Sequence, residues 1–407
     1  MNNKSAHSLQ ENTSFHATQG GGVLFNAPRG RLYALNEAAA LAWLCVKDRL
    51  STSETTRAIA SAFRVDTSVA AEWLRASMET FEAAGLLPAQ QPKDAIDGAP
   101  QKRAASQSSG AAERPASGED RLTTREYRIF EQLARIAAPH CLQPAIESLL
   151  GGLRADSRVL DADGPGFDLK IAPEGSDWKI MIGDEVVAHC ETEAVVSEIE
   201  RLLVQAVVPS KPHLLTLHAA AMQSDSGPLL LVGHSGAGKT TLSIALARAG
   251  WGFGSDEIVL LCRDLRLCPL PLPACIKEDN FSLVETWFPI LRGTREHKRY
   301  GHRVKYLPLK SHSLRGGSGF VIFLSHQAER GNELRPLDSF SGLQRLLEHC
   351  LFVPPGFDHS DVPRLLEWHS GQRYFEFFFN DCGKAVTLLS KMVDEGTKFD
   401  SRSLNLL

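Results

Sequence analysis

The chain of 407 residues contains no run of about 18 consecutive apolar residues, so no membrane-spanning helix is expected. Its opening stretch, MNNKSAHSLQENTSF, has no apolar core, and no secretory signal is legible there. The 8 cysteines, Cys45, Cys141, Cys190, Cys262, Cys268, Cys275, Cys350 and Cys382, include no C-x-x-C pair. Neither a zinc site nor a disulfide framework is therefore indicated, and the close trio Cys262, Cys268 and Cys275 reads as buried thiols near strands. These absences point to a reducing cytoplasm. Cationic excess is missing too: the formal net charge is −4, which excludes a general polyanion binder. What remains, 43% hydrophobic and 23% charged, is ordinary globular composition with room for two or three domains.

The most informative stretch is Leu229 to Ala249, LLLVGHSGAGKTTLSIALARA. The apolar run Leu229–Val232 is short enough for a buried strand of a parallel sheet. Gly233, His234, Ser235, Gly236, Ala237, Gly238, Lys239 and Thr240 fit G-x-x-x-x-G-K-[ST], and Leu242, Ala245, Leu246 and Ala249 then recur at helical spacing. The residue types follow from the chemistry of a P-loop. Backbone N–H groups must wrap a phosphate chain closely, so the loop needs little bulk and free φ. The following helix directs its positive N-terminus at the same anion. Lys239 is then expected on the β- and γ-phosphates and the Thr240 hydroxyl on Mg²⁺. Asp256 and Glu257 are the nearest acidic pair, on a strand expected to lie beside the P-loop strand. They precede their apolar run, Ile258–Leu261, whereas common ATPases and GTPases end such a run on Asp.

Read in order, residues 1–19 are expected to be a disordered tail. Two apolar runs flanking Pro28-Arg29-Gly30 give a hairpin over 23–35. Asn36 caps a helix with Ala40, Leu41 and Leu44 inward, and Ser51 and Glu54 form a capping box before a second helix with Ala58, Ile59 and Phe63 inward. A third helix carries Val69, Trp73, Leu74, Met78 and Phe81 and stops at Gly85. This hairpin with three helices is compatible with a winged-helix shape. Use on DNA is disfavoured, because Arg57, Arg64 and Arg75 are interrupted by Glu54, Asp66, Glu72, Glu79 and Glu82. Residues 89–120, rich in Ala, Ser, Gly, Pro and charge, read as a flexible linker.

Beyond the linker, a helix is expected from Leu122 through Tyr127, Phe130 and Leu133, then strands at 167–171, 178–182 and 186–190 and a helix over 191–208. These pieces form a small α+β subdomain at 121–210 ahead of a P-loop domain at 211–395. Further strands are expected at 214–222, 319–324 and 374–379, a last helix at 383–393, and a frayed tail at 396–407. A cationic run includes Arg292, Arg295, His297, Lys298, Arg299, His302, Arg303, Lys305, Lys310, His312 and Arg315. It reads as a solvated loop or as a contact for ATP phosphates, an acidic peptide or a phosphorylated product. Only Tyr300 and Tyr306 are interleaved, too few aromatics for nucleic acid.

Two family resemblances refine this. Leu35-Asn36-Glu37-Ala38-Ala39, then Thr56-Arg57-Ala58-Ile59-Ala60-Ser61-Ala62-Phe63, then Ala83-Ala84-Gly85-Leu86-Leu87 resemble the PqqD family over residues 20–88. The resemblance implies a recognition domain for ribosomally made, modified peptides. A leader peptide would add as a strand in a groove beside the third helix, with Leu32, Tyr33, Trp73 and Ser77 as candidate lining residues. Leu217-His218-Ala219-Ala220-Ala221, the Gly233–Thr241 stretch, Gly254-Ser255-Asp256-Glu257 and Pro273-Ala274-Cys275-Ile276-Lys277-Glu278 are similar to relatives of HPr kinase. That similarity implies an HPr kinase/PEP carboxykinase-like α/β fold and a serine kinase using ATP and Mg²⁺. Asp256 would be base or metal partner, His218 would lie near the transferred phosphate, and the phosphate-binding set would run from Gly233 through Thr240 to Thr241. Thr240, Asp256 and Glu257 would hold the metal, although the family has Asp-Asp where this chain has Asp256-Glu257. An E-x-R-G stretch, carried by members that run phosphorolysis, is absent between Glu257 and Leu309. Phosphorolysis, and HPr itself as substrate, are not expected.

The combined expectation is a multidomain cytoplasmic serine kinase acting on a precursor peptide captured by residues 20–88, with no nucleic-acid or membrane partner; a homo-oligomer stays open. Two alternatives stand beside it: an ATP-gated peptide-delivery protein without phosphotransfer, and a small-molecule kinase on the same P-loop.

Overall fold

A computed structural model describes residues 13–87, 121–155, 166–316, 319–326 and 331–395. The linker at 89–120 and the tail at 396–407 lie outside them. The chain forms a multidomain α/β architecture whose contacts divide into two compact units, 1–118 and 119–407.

In the first unit, β1 (Thr13–Thr18), β2 (Gly21–Asn26) and β3 (Arg31–Asn36) form an antiparallel meander with β2 central. Helices α1 (Glu37–Lys47), α2 (Thr52–Phe63) and α3 (Thr67–Ala83) follow. Gly30, at φ +57°, makes the turn into β3 without Cβ strain. Strand β1 falls where a tail was expected. It alternates around a single large apolar residue, Phe15, which packs on the core opposite Leu24. Asn36 caps α1 through its side chain, and Ser51 and Glu54 make the reciprocal capping box of α2. Ser51→Ala should therefore cost this unit about 1 kcal/mol, read as a shift of its urea midpoint. The core is centred on Trp43, which meets Phe81 edge-on at 5.3 Å and is buried with Leu35, Ile59 and Leu74. Leu44, Val69 and Trp73, expected inward, are exposed, because α1 turns Ala42, Trp43 and Val46 to the core and α3 turns Ala70, Leu74 and Phe81.

The second unit opens with β4 (Thr123–Ile129), β5 (Gln132–Ala138), α4 (Gln143–Leu150), β6 (Phe167–Glu174), β7 (Asp177–Ile182), β8 (Glu185–Cys190) and α5 (Val195–Ser210). The strands form one sheet in chain order, with only β5–β6 parallel. The helix expected from Leu122 is instead the β4–β5 hairpin. Tyr127 and Ile129 are both buried at spacing two, and the chain reverses at Phe130 and Glu131. Phe130 takes φ +54°, a conformation a bulky residue does not advertise.

Next come β9 (His213–Ser224), β10 (Gly227–Val232), α6 (Lys239–Arg248), β11 (Gly252–Ser255), β12 (Ile258–Cys262), β13 (Leu267–Pro269), β14 (Ala274–Lys277), α7 (Phe281–Trp287), β15 (His297–Arg299) and β16 (His302–Leu307). The unit closes with β17 (Phe320–His326), β18 (Glu333–Leu337), α8 (Ser339–Glu348), β19 (Cys350–Phe352), α9 (Asp361–Ser370), β20 (Arg373–Phe379) and α10 (Cys382–Glu395). The central sheet runs β13-β12-β9-β10-β17-β20-β18, with β11 and β19 also on β9. Strands β10, β17 and β20 are mutually parallel, and their apolar faces pack under α6 and α10 through Leu242, Leu246, Phe377 and Leu389. A small antiparallel sheet, β14-β16-β15, completes the unit.

That small sheet absorbs much of the cationic run. His297 and Lys305 are buried in it, Arg303 pairs with Glu278 and Glu296, and Lys298 with Glu191, so this part is ion-paired strand rather than solvated loop. Elsewhere, His369 is buried between Ser339 Oγ at 3.0 Å and Tyr374 Oη at 2.6 Å, and burial pushes its pKa down to about 4. The folded ring stays neutral while an unfolded one protonates below about pH 6.5. Stability from this neutral histidine is thus complete above that pH and is lost as pH falls toward 4, by up to about 3 kcal/mol. His369→Gln should remove this loss, so wild type should weaken relative to the variant in denaturant titrations between pH 7 and 4.5.

Candidate functional site

The site lies where β9 changes partners on both of its edges. On one edge β10 ends at Val232, opposite Ala219, and β19 takes over at Leu217. On the other, β11 ends at Ser255, opposite Ala221, and β12 begins at Ile258, opposite His218. Such breaks open a crevice at the carboxyl ends of the parallel strands. The Gly233–Gly238 loop leaves β10 here, and Asp256 and Glu257 occupy the gap between β11 and β12. The acidic pair is therefore not on a strand beside β10: β9 stands between.

Gly236 and Gly238 take φ +85° and +90°, and a Cβ on Gly238 would meet the Phe379 ring at 2.6 Å. Only glycine fits at Gly238, and the tight turn starts α6 at Lys239. The Lys239 side chain curls back over the loop and donates to Gly233 O at 2.7 Å and His234 O at 3.1 Å. Burial lowers its pKa to about 8, with Lys277 adding to the effect against Glu257 and Asp256. Thr240 Oγ1 donates to Asp256 Oδ2 at 3.0 Å, and the Cys275 N–H donates to the same oxygen at 3.1 Å. Asp256 is buried, and burial with the adjacent Glu257 charge raises its pKa to about 7. His218, Lys239, Thr240, Thr241, Asp256 and Lys277 line one cavity of ≈130 Å³. Lys277 Nζ reaches Ser235 Oγ at 3.4 Å. Burial, then Lys239, lowers the His218 pKa, so the ring is held neutral. The cavity falls below the range of about 300–1,000 Å³ for whole-ligand pockets, so it suits a phosphate chain rather than a complete nucleotide.

Glu257 is engaged differently. Arg299 donates to both of its oxygens, at 2.8 and 2.6 Å, and reaches Glu200 Oε1 at 3.0 Å. Glu200 also accepts from Tyr306 Oη at 2.8 Å. Burial raises the Glu200 pKa to about 7 against the pull of Arg299. For Glu257, burial works in the same sense, but the Arg299 bonds outweigh it and hold the carboxyl below its ordinary range. As a metal ligand Glu257 is thus the weaker of the two acids. Thr240 and Asp256 offer the hard oxygen donors, already in contact, that Mg²⁺ takes with phosphate and water. Among the described residues no group of three His, Cys, Asp or Glu side chains is placed to hold a metal unaided.

Sequence reasoning missed Glu200, Arg299 and His349. Glu200 had a signal: it is a charge on the α5 face that buries Val196, Ile199 and Leu203. Arg299 was masked by its cationic neighbours. His349 follows α8 with no motif, yet its carbonyl accepts from His218 N at 3.1 Å and its ring lies 4.9 Å from that of His234.

In the first unit, β3 pairs only with β2, so its outer edge has no strand partner among the described residues. Leu32 and Tyr33 on β3 are half-buried, and Tyr33 Oη donates to Ala84 O, just past α3, at 3.3 Å. Trp73 is exposed and meets Phe63 edge-on at 5.7 Å. Ser77 is buried, with its hydroxyl donating to Trp73 O in its own helix.

Residues 21–87 match the family described as coenzyme PQQ synthesis protein D (PqqD). This PqqD-like unit thus coincides with the β2–α3 segment and the Leu86-Leu87 end of its core. Among solved structures, "TbiB1 in Complex with the TbiA(beta) Leader Peptide" is similar at 17% identity, covering 21% of this chain and 98% of that one, with a TM-score of 0.19. No curated protein matches the chain. Among the described residues no helix is long and apolar enough to cross a membrane.

Proposed function

We propose that the chain is an ATP-dependent serine kinase of a ribosomally made precursor peptide, which its PqqD-like unit captures. The observation that carries the kinase reading is the Thr240–Asp256 hydrogen bond at the β9 switch point, beside the glycine loop whose carbonyls Lys239 holds, with His218 and Lys277 lining the same cavity. The loop N–H groups and the α6 N-terminus suit a phosphate chain, and Lys239, released from the Gly233 and His234 carbonyls, suits its β- and γ-oxygens. Thr240 and Asp256 would hold Mg²⁺, which when bound supplies positive charge against the phosphates. Asp256 Oδ1, which accepts no protein hydrogen bond among the described residues, suits a base for a hydroxyl, and burial keeps His218 a hydrogen-bonding group without charge.

The peptide part of the reading rests on the match over residues 21–87 and on the open edge of β3, where an extended peptide could add as a strand. The absent E-x-R-G stretch argues against phosphorolysis. The test is incubation of the full chain with ATP, Mg²⁺ and a precursor peptide encoded beside it, read by mass spectrometry. A phosphate on a peptide serine is expected. Peptide binding that follows ATP occupancy with no mass shift would favour gated delivery, and a mass shift on a metabolite alone would favour a small-molecule kinase.

A further inference from the structure

Behind the Asp256–Glu257 corner lies a second cavity, of ≈230 Å³. Ser197, Glu200 and Val204 of α5 form one side, and Arg299 and Tyr300 another. Asp256, Glu257, Cys275 and Arg299 line both this cavity and the one beside Lys239, so the two spaces adjoin at these side chains. At this junction, Asp256 Oδ2 is taken by Thr240 and the Cys275 N–H, while Oδ1 accepts no protein hydrogen bond among the described residues.

The mouth of the cavity carries a second, independent feature. Tyr300 and Gly301 form the two-residue turn between β15 and β16, at φ +49° and +82°. Two positive φ angles in a hairpin turn call for Asn, Asp or Gly, and an aromatic residue is unfavourable in the first position. The Tyr300 ring is nonetheless there, 79% exposed and touched by the Arg299 guanidinium 5.2 Å from its centre. Exposed to this degree, it gains little from burial to offset its backbone conformation. A ring held at a cavity mouth is well placed to cover an incoming peptide chain.

We propose that this cavity is the acceptor site: a serine or threonine side chain of an extended peptide enters past Tyr300 and presents its hydroxyl to Asp256 Oδ1. The assignment rests on the phosphotransfer reading and adds to it the direction of approach. The acceptor oxygen forms a bond to the γ-phosphorus of ATP as the bond from that phosphorus to the β–γ bridging oxygen breaks. The hydroxyl proton passes to Asp256, and ADP leaves with the electron pair. The volume admits a side chain and excludes a nucleoside, so the base of ATP stays outside this cavity. Val204 and Leu272 offer apolar contact to the side-chain carbon, and Glu200, held by Tyr306 and Arg299, keeps the rear of the cavity polar.

The experiment uses the full chain with labelled ATP, Mg²⁺ and a pool of randomised ten-residue peptides, each with one central serine. Val204→Trp, which fills the cavity, should cut peptide labelling at least tenfold while the Kd for ATP stays within twofold of wild type. Tyr300→Gly, which suits the turn and removes only the ring, should raise the peptide KM several-fold with kcat little changed; its melting temperature guards against misfolding as the cause. Labelling by wild type that survives both substitutions overturns the acceptor-site assignment alone. A wild-type chain that binds ATP and labels neither this pool nor a leader-bearing precursor peptide encoded beside it overturns the phosphotransfer reading, and this assignment with it.

Discussion

Lys239→Ala should reduce phosphotransfer roughly a thousandfold or more, in line with removal of a charged donor from a preorganised site. Lys239 is buried, and among the described residues its ammonium bonds only to the carbonyls of Gly233 and His234. A phosphate chain in the loop would exchange those neutral contacts for charge-assisted ones, the stronger kind. With its pKa near 8 the group is still mostly charged at pH 7, and the charge it gives up to burial is what phosphate would restore. Lys239→Arg should not rescue, since the loop closes on a single compact ammonium and a planar fork does not fit that geometry. The measurement is labelled-peptide formation beside a thermal melt. Labelling unchanged in a folded Lys239→Ala chain would falsify the kinase reading.

Arg299→Ala should destabilise the second unit by about 3–5 kcal/mol, the usual cost of leaving a buried charge without its partner. Arg299 is 13% exposed and Glu200 6%, so little water can replace the lost bonds. Glu200 already sits near pKa 7 with Arg299 in place, and without it the acid is pushed higher still. An acid whose folded pKa is raised contributes stability at low pH that is lost as pH rises through that pKa. The defect should therefore be larger at pH 8 than at pH 6. Glu200→Gln in the same background should recover part of it, because a neutral amide keeps the Tyr306 partner and needs no counter-charge. Equal midpoints for wild type and Arg299→Ala in urea at pH 8 would show that the triad carries no net stability.

The parts of this arrangement that were legible in the sequence are those set by local chemistry. Gly236 and Gly238 announce a tight positive-φ turn, and the helix that the pattern places after them starts at Lys239. The caps at Asn36 and Ser51 and the apolar strands β10, β17 and β20 were legible for the same reason. What failed depended on partners far away in the chain. Tyr127, Phe130 and Leu133 mimic helical spacing, and only a sheet partner at β6 makes period two prevail. Leu44 and Trp43 are both apolar neighbours on α1, and which one turns inward is decided by Phe81 on α3. Arg299 looked like one cation among many until α5 supplied Glu200 from 99 residues earlier.

The long-range pairing of the central sheet also sets an order of events during synthesis. The Gly233–Thr240 loop is held by β17, which pairs with β10 through Leu229 and Phe320, and by Phe379, whose ring abuts Gly238. It cannot take its shape until the ribosome has passed residue 379. The PqqD-like unit makes its contacts within residues 13–87, a local topology that folds early. At synthesis rates of about 5–20 residues per second, that unit precedes the loop by on the order of 15–60 s. On the proposed reading, a nascent chain would present an edge strand able to receive a peptide well before it could hold a phosphate, and a chain interrupted in that interval would be a binder with no chemistry.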